Sequence, residues 1–241
     1  MSVLVVAGTG VAVGKTVVTA AVAALALSRG AAVAVVKPAQ TGRAPGEPGD
    51  LDEVRRLSGA RTTFELARFA EPLSPAAAAR VAGLPPVSVP SVALLVRELA
   101  ESNRLVLVEG GGGLLERYDE DGATIADLAR LLSAQVLLVT GAGREAVNQA
   151  ALTLEALAHR GLGLAGLVIG RWPAEPGAAG RCAVADLEML AARPLAGALP
   201  DGAGALAKAA FAEVARRGLG PTLGGAFDPS AFRHEVLGGW G

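Results

Sequence analysis

The stretch GTGVAVGKT, residues 8–16, decides the fold of this chain. It follows a short apolar run at residues 3–7, which predicts a buried strand. It precedes an Ala-, Val- and Leu-rich segment at residues 17–28, which predicts a helix. Strand, glycine-rich turn, Gly-Lys-Thr and helix form the pattern of a phosphate-binding loop, whose backbone N–H groups and helix N-terminus attract phosphate. We therefore expect nucleotide binding, with Lys15 on the β- and γ-phosphates and the Thr16 hydroxyl on Mg²⁺.

Composition and charge limit the classes of protein that the chain can be. Its 241 residues are 51% hydrophobic but only 3% aromatic, and the formal net charge is −1. We expect a single domain over residues 1–241, without a nucleic-acid-binding surface. Cys182 is the one cysteine, which excludes an intrachain disulfide and favours a cytoplasmic location. Residues 1–10 predict a strand rather than a signal peptide, and no apolar run is long enough to predict a membrane span.

Apolar strand patterns alternate with helical patterns along the chain. Further strands are predicted at residues 31–36, 104–108, 135–140, 164–169 and 195–199. This alternation predicts an α/β, P-loop NTPase-like fold, with a mostly parallel sheet and helices on both faces. Residues 63–74 are predicted to be irregular, and residues 118–122 polar and exposed.

Two polar residues lie where a parallel sheet would place an active site. Lys37 follows the predicted strand at residues 31–36 and precedes the sequence Pro-Ala-Gln-Thr-Gly. Catalytic groups collect beyond the carboxyl ends of parallel strands, so Lys37 is a candidate site residue rather than a solvated lysine. We expect its strand to neighbour the strand that leads to Lys15. Asp50 begins a predicted helix, where the sequence equally allows a helix N-cap or an oxygen ligand for Mg²⁺.

Glu109 follows the predicted strand at residues 104–108 and precedes four glycines, residues 110–113. A carboxylate at the end of a buried strand is typical of an acid that supports a metal beside a phosphate loop. Four glycines would remove nearby side chains and let a ligand approach the backbone closely. A flexible turn with a solvated glutamate is the alternative, but such a turn rarely needs four consecutive glycines.

Together these motifs resemble the dethiobiotin synthetase family. The resemblance rests, in order, on residues 8–16, Lys37-Pro-Ala-Gln-Thr-Gly, Asp50 and Glu109-Gly-Gly-Gly. It implies a ligase of biotin biosynthesis that closes a cyclic urea. One amine of 7,8-diaminononanoate is carbamated with CO₂ or bicarbonate, and the carbamate is phosphorylated by ATP with Mg²⁺. The other amine then closes the ring, which gives dethiobiotin, ADP and phosphate. The family is homodimeric.

The resemblance also implies roles for individual residues. The catalytic residues are Lys37 and Lys15. The metal ligands are Thr16, Asp50 and Glu109. The diamine and its carbamate are bound by Thr41, Gly110, Gly111 and, for the carboxylate tail across the dimer, Asn148. ATP is the implied nucleotide, with other nucleoside triphosphates left open. Its site is formed by Ala12, Val13, Gly14, Lys15, Thr16, Val17, Asp50, Glu109, Gly110, Gly111, Gly112, Gly170, Arg171, Leu199, Pro200 and Asp201.

Two other classes of protein share parts of this pattern. A partitioning or positioning ATPase of the P-loop group would carry a further lysine where this chain has Gly10. It would also carry a membrane-targeting amphipathic helix at its C-terminus, which we do not expect in residues 226–241. An amidotransferase-type relative of cobyric acid synthase would need a nucleophilic cysteine, and Cys182 has no histidine near it in the sequence. The synthetase is therefore the favoured interpretation.

Overall fold

A seven-stranded parallel sheet is the core of the computed structural model, which describes residues 2–238. The strands of the chain are β1 (Ser2–Gly8), β2 (Val33–Lys37), β3 (Gln40–Thr41), β4 (Thr62–Glu65), β5 (Arg68–Phe69), β6 (Leu105–Gly113), β7 (Gln135–Thr140), β8 (Leu164–Trp172) and β9 (Gly197–Pro200). The order across the sheet is β4-β2-β6-β1-β7-β8-β9, and each neighbouring pair is parallel. Strands β3 and β5 form a separate parallel pair. The predicted α/β architecture is confirmed.

Helices cover both faces of this sheet. Within residues 2–238 they are α1 (Lys15–Ser28), α2 (Asp50–Ser58), α3 (Pro75–Ala82), α4 (Val89–Ser102), α5 (Ile125–Leu131), α6 (Arg144–His159), α7 (Gly177–Ala191), α8 (Lys208–Gly218) and α9 (Pro229–Leu237). Helices α1, α2 and α8 contribute to one hydrophobic layer, and the other helices contribute to the second. Successive strand residues alternate between the layers: Val5 and Ala7 belong to one, and Val6 belongs to the other. Burial on both faces explains why the strands read as continuous apolar runs.

The strand order differs from the order that the sequence predicted. Strand β6 pairs with both β1 and β2 and lies between them, so the expectation that the strands of Lys15 and Lys37 are neighbours is wrong. The connection through α1 skips one strand position, which a periodicity pattern does not encode. Residues 63–74 are not irregular throughout, because β4 pairs with β2 at the sheet edge. An edge strand exposes part of its surface and can carry polar residues. The Thr and Glu residues of β4 therefore gave no continuous apolar pattern from which a strand could be predicted.

Two further segments are buried or ordered where the sequence predicted otherwise. Tyr118 is only 2% exposed, although residues 118–122 were expected to be exposed. Residues 229–237 form helix α9, which the sequence pattern did not predict. Its Val236 is buried, and Phe232 lies 5.1 Å from the ring of Trp172. Helix α9 therefore packs onto the core of the protein itself, and residues 239–241 lie outside the described residues.

Seven of the nine strands in residues 2–238 belong to one sheet, and the single domain over residues 1–241 stays a prediction. None of the helices in residues 2–238 combines the length and hydrophobicity needed to cross a bilayer. The carboxyl ends of the seven strands point to one edge of the sheet. The loops at that edge hold most of the predicted site residues.

Candidate active site

The glycine-rich loop joins β1 to the first turn of α1. Gly14 caps the helix in the left-handed region, with φ 96°, and the Lys15 ammonium donates to the carbonyl of Gly10 at 2.8 Å. A Cβ atom added to Gly14 would lie 2.5 Å from the carbonyl oxygen of Gly170, at the end of β8. Glycine is therefore required at position 14 both for its backbone angles and for its contact with β8. The loop and helix N-terminus have the form of an anion site.

A buried cluster of one lysine and two acids lies beside this loop. The Lys37 ammonium is 2.8 Å from Glu109 Oε1 and 2.5 Å from Asp50 Oδ2, and it also donates to the carbonyl of Gly110 at 3.1 Å. The hydroxyl of Thr16 donates to the same Glu109 oxygen at 2.9 Å. The structure therefore brings Thr16, Lys37, Asp50 and Glu109 together, although they come from four separate elements.

Opposed effects set the charge of this cluster. Burial alone would lower the pKa of Lys37, but the carboxylates of Glu109 and Asp50 raise it above its usual value. Burial would raise the pKa of Asp50, and Lys37 lowers it below its usual value. Lys37 therefore stays protonated through the physiological range. It can attract and orient anions, but it cannot act as a general base there.

Lys15 differs from Lys37 in the direction of its pKa shift. Burial, followed by repulsion from Lys37, lowers the pKa of Lys15 to about 8, even though Glu109 and Glu116 act in the opposite direction. Only 6% of Lys15 is exposed, and its ammonium donates to a neutral carbonyl rather than to a carboxylate. Bound phosphates would supply the missing negative charge and favour the protonated amine.

Nucleotide binding is therefore expected to take up protons at mildly alkaline pH. Above pH 8 the free Lys15 loses its proton, and a bound triphosphate restores it, so affinity falls as the pH rises through 8. Titration calorimetry at pH 8.5 in buffers of different ionisation enthalpy should give an uptake approaching about one proton per nucleotide. The uptake should fall strongly at pH 6.5 apart from protons exchanged by the nucleotide itself. Binding without proton uptake at pH 8.5 would contradict the role of Lys15.

Asp50 is not the N-cap of helix α2, and its position is set by hydrogen bonds with other residues. The N-cap of α2 is Gly49, whose N–H donates to Asp52 Oδ2 at 2.7 Å, so the N-cap interpretation of Asp50 is wrong. The N–H of Asp50 instead donates to Gln40 Oε1 at 2.8 Å. Asp50 is the first residue of the helix, and this leaves its carboxylate free to reach Lys37. Gln40, which is buried, therefore positions Asp50, a contact that no sequence motif indicated.

Glu109 lies within β6 and not at its end, which corrects the predicted strand boundary. The strand continues through the glycines to Gly113, and the Glu109 side chain is fully buried. The alternative of a solvated glutamate on a flexible turn is therefore wrong. A Cβ atom on Gly112 would collide with the carboxylate of Glu116, while Gly113 has open space around it. Gly112 is therefore needed to make room for the Glu116 side chain, whereas Gly113 has no such steric reason to be glycine.

A cleft of about 830 Å³ opens above the carboxyl ends of the strands. The predicted site residues that line it are Ala12, Gly14, Lys15, Thr16, Val17, Lys37, Thr41, Asp50, Gly111, Gly170, Arg171, Pro200 and Asp201. Strands β2 and β6 lie on one side of β1, and β8 and β9 lie on the other. The cleft therefore has a side with Lys37, Thr41 and Gly111 and a side with Gly170, Arg171 and Pro200, separated by the glycine-rich loop.

Other predicted residues lie outside the lining of this cleft. Five of them are Val13, Glu109, Gly110, Gly112 and Leu199, of which Glu109 and Leu199 are fully buried. Asn148 is exposed on α6 and does not line the cleft of its own chain. The predicted role of Asn148 concerns substrate that is bound to a partner subunit, so that role stays a prediction.

Glu116 is a cleft residue that sequence reasoning missed. It lines the cleft, is half-buried, and follows the glycine-rich part of β6. No motif covers it, because it lies in a loop with an Arg and a buried Tyr. Its proximity could have been suspected only from the run of glycines upstream, since Gly112 is needed to accommodate its side chain.

The oxygen-rich cluster fits a hard cation. Thr16, Asp50 and Glu109 offer a hydroxyl and two carboxylates, the donors that Mg²⁺ prefers. Within residues 2–238, Glu109 Oε2 is a buried oxygen without a hydrogen-bond partner. No three His, Cys, Asp or Glu side chains come together in that part of the chain as a complete metal cage. A magnesium ion here would therefore also need phosphate oxygens and water, which is how Mg²⁺ is usually bound beside nucleotides.

A parallel sheet with a glycine-rich loop, Gly-Lys-Thr and a buried acid beside it defines a P-loop NTPase-like protein. Distant solved structures share this fold. A MinC–MinD cell division complex from Aquifex aeolicus matches with TM-score 0.58 and 14% identity, over 90% of this chain and 95% of that one. MinD complexed with Mg-ADP from Pyrococcus horikoshii OT3 matches with TM-score 0.53 and 16% identity, over 89% and 94%. At such identity the likeness concerns the fold alone, and the predicted class of fold is confirmed.

Sequence comparison defines the family. A family model described as an AAA domain matches residues 2–204. The curated ATP-dependent dethiobiotin synthetase BioD of Parafrankia sp. is 61% identical over 98% of this chain and 99% of its own length. The BioD proteins of Frankia casuarinae and Streptomyces avermitilis are 62% and 55% identical, over 97% and 96% of this chain and 98% of each relative. The chain belongs to the ATP-dependent dethiobiotin synthetase family, and the predicted resemblance is confirmed.

Proposed function

We propose that this chain closes the cyclic urea ring of dethiobiotin, as an ATP-dependent ligase of biotin biosynthesis. Its substrates are 7,8-diaminononanoate, CO₂ or bicarbonate, and ATP, and the other products are ADP and phosphate. Identity of 55–62% to curated synthetases over nearly the whole chain supports the reaction. The observation that supports the mechanism is the buried Lys37, held between Asp50 and Glu109 at the edge of the phosphate-binding loop.

Lys37 and Lys15 are the proposed catalytic residues. Phosphorylating a carbamate brings two anions together, and their repulsion must be offset where the phosphoryl group transfers. Lys37 stays protonated and is held by two acids, so its ammonium is oriented before substrates arrive. Burial lowers the pKa of Lys15 to about 8, and bound phosphate would favour its protonated form. The two amines would stabilise the charge that develops between carbamate and γ-phosphate.

The two sides of the cleft suit the two substrates. Backbone groups at residues 12–17 would surround the phosphates, while Gly170, Arg171, Leu199, Pro200 and Asp201 would flank the base. Arg171 and Asp201 form an exposed ion pair at 2.9 Å, and Arg171 also donates to the carbonyl of Ala12 at 3.3 Å. This arrangement links the proposed base side to the phosphate loop.

The diamine carbamate would lie on the side formed by β2 and β6. Thr41 lines the cleft there and offers a hydroxyl, and the backbone at Gly110 and Gly111 offers close approach. Phosphorylation of the carbamate oxygen creates a mixed anhydride. The second amine, once its ammonium form has given a proton to solvent, attacks the carbonyl carbon. The carbon–oxygen bond to phosphate breaks, and the new urea nitrogen loses a further proton to solvent. The products are the cyclic urea and phosphate.

Magnesium would be held by Thr16, Asp50 and Glu109 together with phosphate oxygens, and it would neutralise charge on the transferring group. The protein side of this proposal is the oxygen donor set and the unpartnered Glu109 Oε2. We further propose a cytoplasmic homodimer, in which Asn148 lies near the carboxylate tail of substrate bound to the partner subunit. The exposure of Asn148 on α6 is compatible with such a contact.

The reaction is tested by incubating purified protein with the diamine, bicarbonate, Mg²⁺ and ATP, and by measuring products by mass. We expect one ADP per dethiobiotin formed, and no product when diamine or bicarbonate is omitted. Excess chelator should stop the reaction, and added Mg²⁺ should restore it. Hydrolysis of ATP without cyclic urea would instead indicate a nucleotide-driven switch, and undiminished turnover in chelator would contradict the magnesium site.

A further inference from the structure

Glu116 is a cleft carboxylate that has no role in the chemistry described so far. Within residues 2–238, no side chain forms a hydrogen bond or ion pair with it, although it is half-buried. The other two acids of the proposed site, Asp50 and Glu109, both pair with Lys37. Glu116 is thus unlike them in facing the cleft as an uncompensated negative charge.

The backbone of β6 makes room for this carboxylate. A Cβ atom on Gly112 would lie 2.6 Å from Glu116 Oε2, and one on Gly111 would lie 3.8 Å from the same oxygen. The carboxylate therefore lies over two consecutive glycines at the wall of the cleft. Any side chain at position 112 would displace it.

An unpaired carboxylate is unexpected in a cleft that must accept two anions. Glu116 acts on Lys15 by raising its pKa, which is a favourable but distant interaction, since no ion pair forms between them. Arg43 also lines the cleft but is exposed on the loop after β3 and does not pair with Glu116. A ligand that fills the cleft would displace water from this half-buried carboxylate, and a dehydrated charge is costly without a partner, so the cation that compensates Glu116 is expected to come from the ligand.

The position of Glu116 indicates which ligand this is. Glu116 follows β6, on the side of β1 that also holds β2, whereas the proposed base side follows β8 and β9. A nucleotide carries no cationic group, but the diamine carries two primary amines on adjacent carbons, and at least one of them is protonated at neutral pH. Once one amine is carbamated, the other remains as an ammonium group.

We propose that Glu116 is a substrate-binding residue that pairs with the uncarbamated ammonium group of the diamine. This inference rests on the proposed function. The carboxylate holds the second amine on the β6 wall, while the carbamate lies toward Lys37 and Lys15. The cleft thereby matches both charges of the carbamated substrate, with cations for its anion and an anion for its cation. Glu116 also selects a diamine over substrates that carry only one nitrogen.

The isosteric substitution Glu116→Gln tests this pairing. The KM for the diamine should rise about tenfold or more, the effect of losing a charge-assisted hydrogen bond. The Kd of a non-hydrolysable ATP analogue with Mg²⁺ should be unchanged or lower, because a negative charge near the phosphates has been removed. A higher KM for the diamine without a higher Kd for the ATP analogue distinguishes substrate recognition from damage to the fold. Glu116→Asp, which keeps the charge, should give a diamine KM between the two.

Glu120→Gln is the matched control, because Glu120 lies on the same loop but is exposed and pairs with Arg80. Its diamine KM and ATP affinity should equal those of the unchanged protein. A rise in diamine KM of less than tenfold in Glu116→Gln, or an equal loss of ATP affinity, would overturn the proposal while leaving the proposed function intact. If the unchanged protein makes no dethiobiotin, the proposed function fails, and the role of Glu116 fails with it.

Discussion

Lys37→Ala is expected to abolish ring closure and to leave nucleotide binding mostly intact. Lys37 is 1% exposed and is held at 2.5 Å and 2.8 Å by Asp50 and Glu109, so water cannot readily replace its ammonium. Loss of one oriented charge at a transferring group typically lowers kcat by about 10²–10³-fold. The phosphates themselves contact the loop and Lys15, which this substitution leaves in place.

The same substitution is expected to destabilise the fold, and the two effects must be separated. Without Lys37, the fully buried Glu109 keeps a negative charge with no ammonium beside it. Breaking a buried pair in this way costs about 3–5 kcal/mol. The double variant Lys37→Ala/Glu109→Gln removes both charges, so it should recover much of the lost stability but no turnover.

Thermal unfolding, titration of an ATP analogue and cyclic urea formation together test this prediction. Lys208→Ala is the control for a lost lysine, because Lys208 is exposed at the start of α8 and lies outside the cleft. It should match the unchanged protein in all three measurements. Ring closure near the normal rate in Lys37→Ala would reject the catalytic assignment, and so would recovery of turnover in the double variant.

Gly14→Ala is expected to have the second large effect, on nucleotide binding. Its φ of 96° costs an alanine about 1–2 kcal/mol, and its Cβ would lie 2.5 Å from the carbonyl oxygen of Gly170. Because that oxygen belongs to backbone, the loop must move away from β8 and spoil its phosphate-binding geometry. We expect the affinity for ATP to fall by more than about tenfold.

Gly10→Ala provides the comparison within the same loop. Gly10 is not among the residues with positive φ, and a Cβ there would meet no heavy atom within 4 Å. Its ATP affinity should therefore stay close to normal. Calorimetric titration of both variants decides the point. Equal losses of affinity at the two positions, or normal affinity in Gly14→Ala, would contradict the geometric explanation.

Patterns that are local in the sequence were sufficient for much of the fold. Continuous apolar runs predicted the central strands, because a parallel sheet buries both of its faces, and Gly-Lys-Thr located the phosphate loop. Strand β4 was missed because its Thr62–Glu65 stretch lies at an edge, where polar residues are tolerated. The order of β2, β6 and β1 depends on which crossover packs best. The residues of those strands carry no local pattern from which their order could be predicted.

In the candidate site, too, the residues that belong to local motifs could be predicted, and the contacts between distant residues could not. Lys37, Asp50 and Glu109 could be predicted because each occurs in a motif next to a strand or helix. Their mutual contacts could not, because residues 37, 50 and 109 meet only after three elements pack together. Glu116 has no motif, and its position depends on the path of the chain after β6. Tyr118 was expected to be exposed because its neighbours are polar, yet the chain returns it to the core.

The fate of the carbamate oxygens tests whether the cleft transfers a phosphoryl group to a carbamate. The protein is supplied with diamine, ATP, Mg²⁺ and freshly prepared ¹⁸O-labelled bicarbonate, and the released phosphate is analysed by mass. If the γ-phosphoryl group bonds to a carbamate oxygen and ring closure breaks the carbon–oxygen bond, each phosphate should carry one labelled oxygen. Unlabelled phosphate formed together with dethiobiotin would contradict the phosphorylated carbamate.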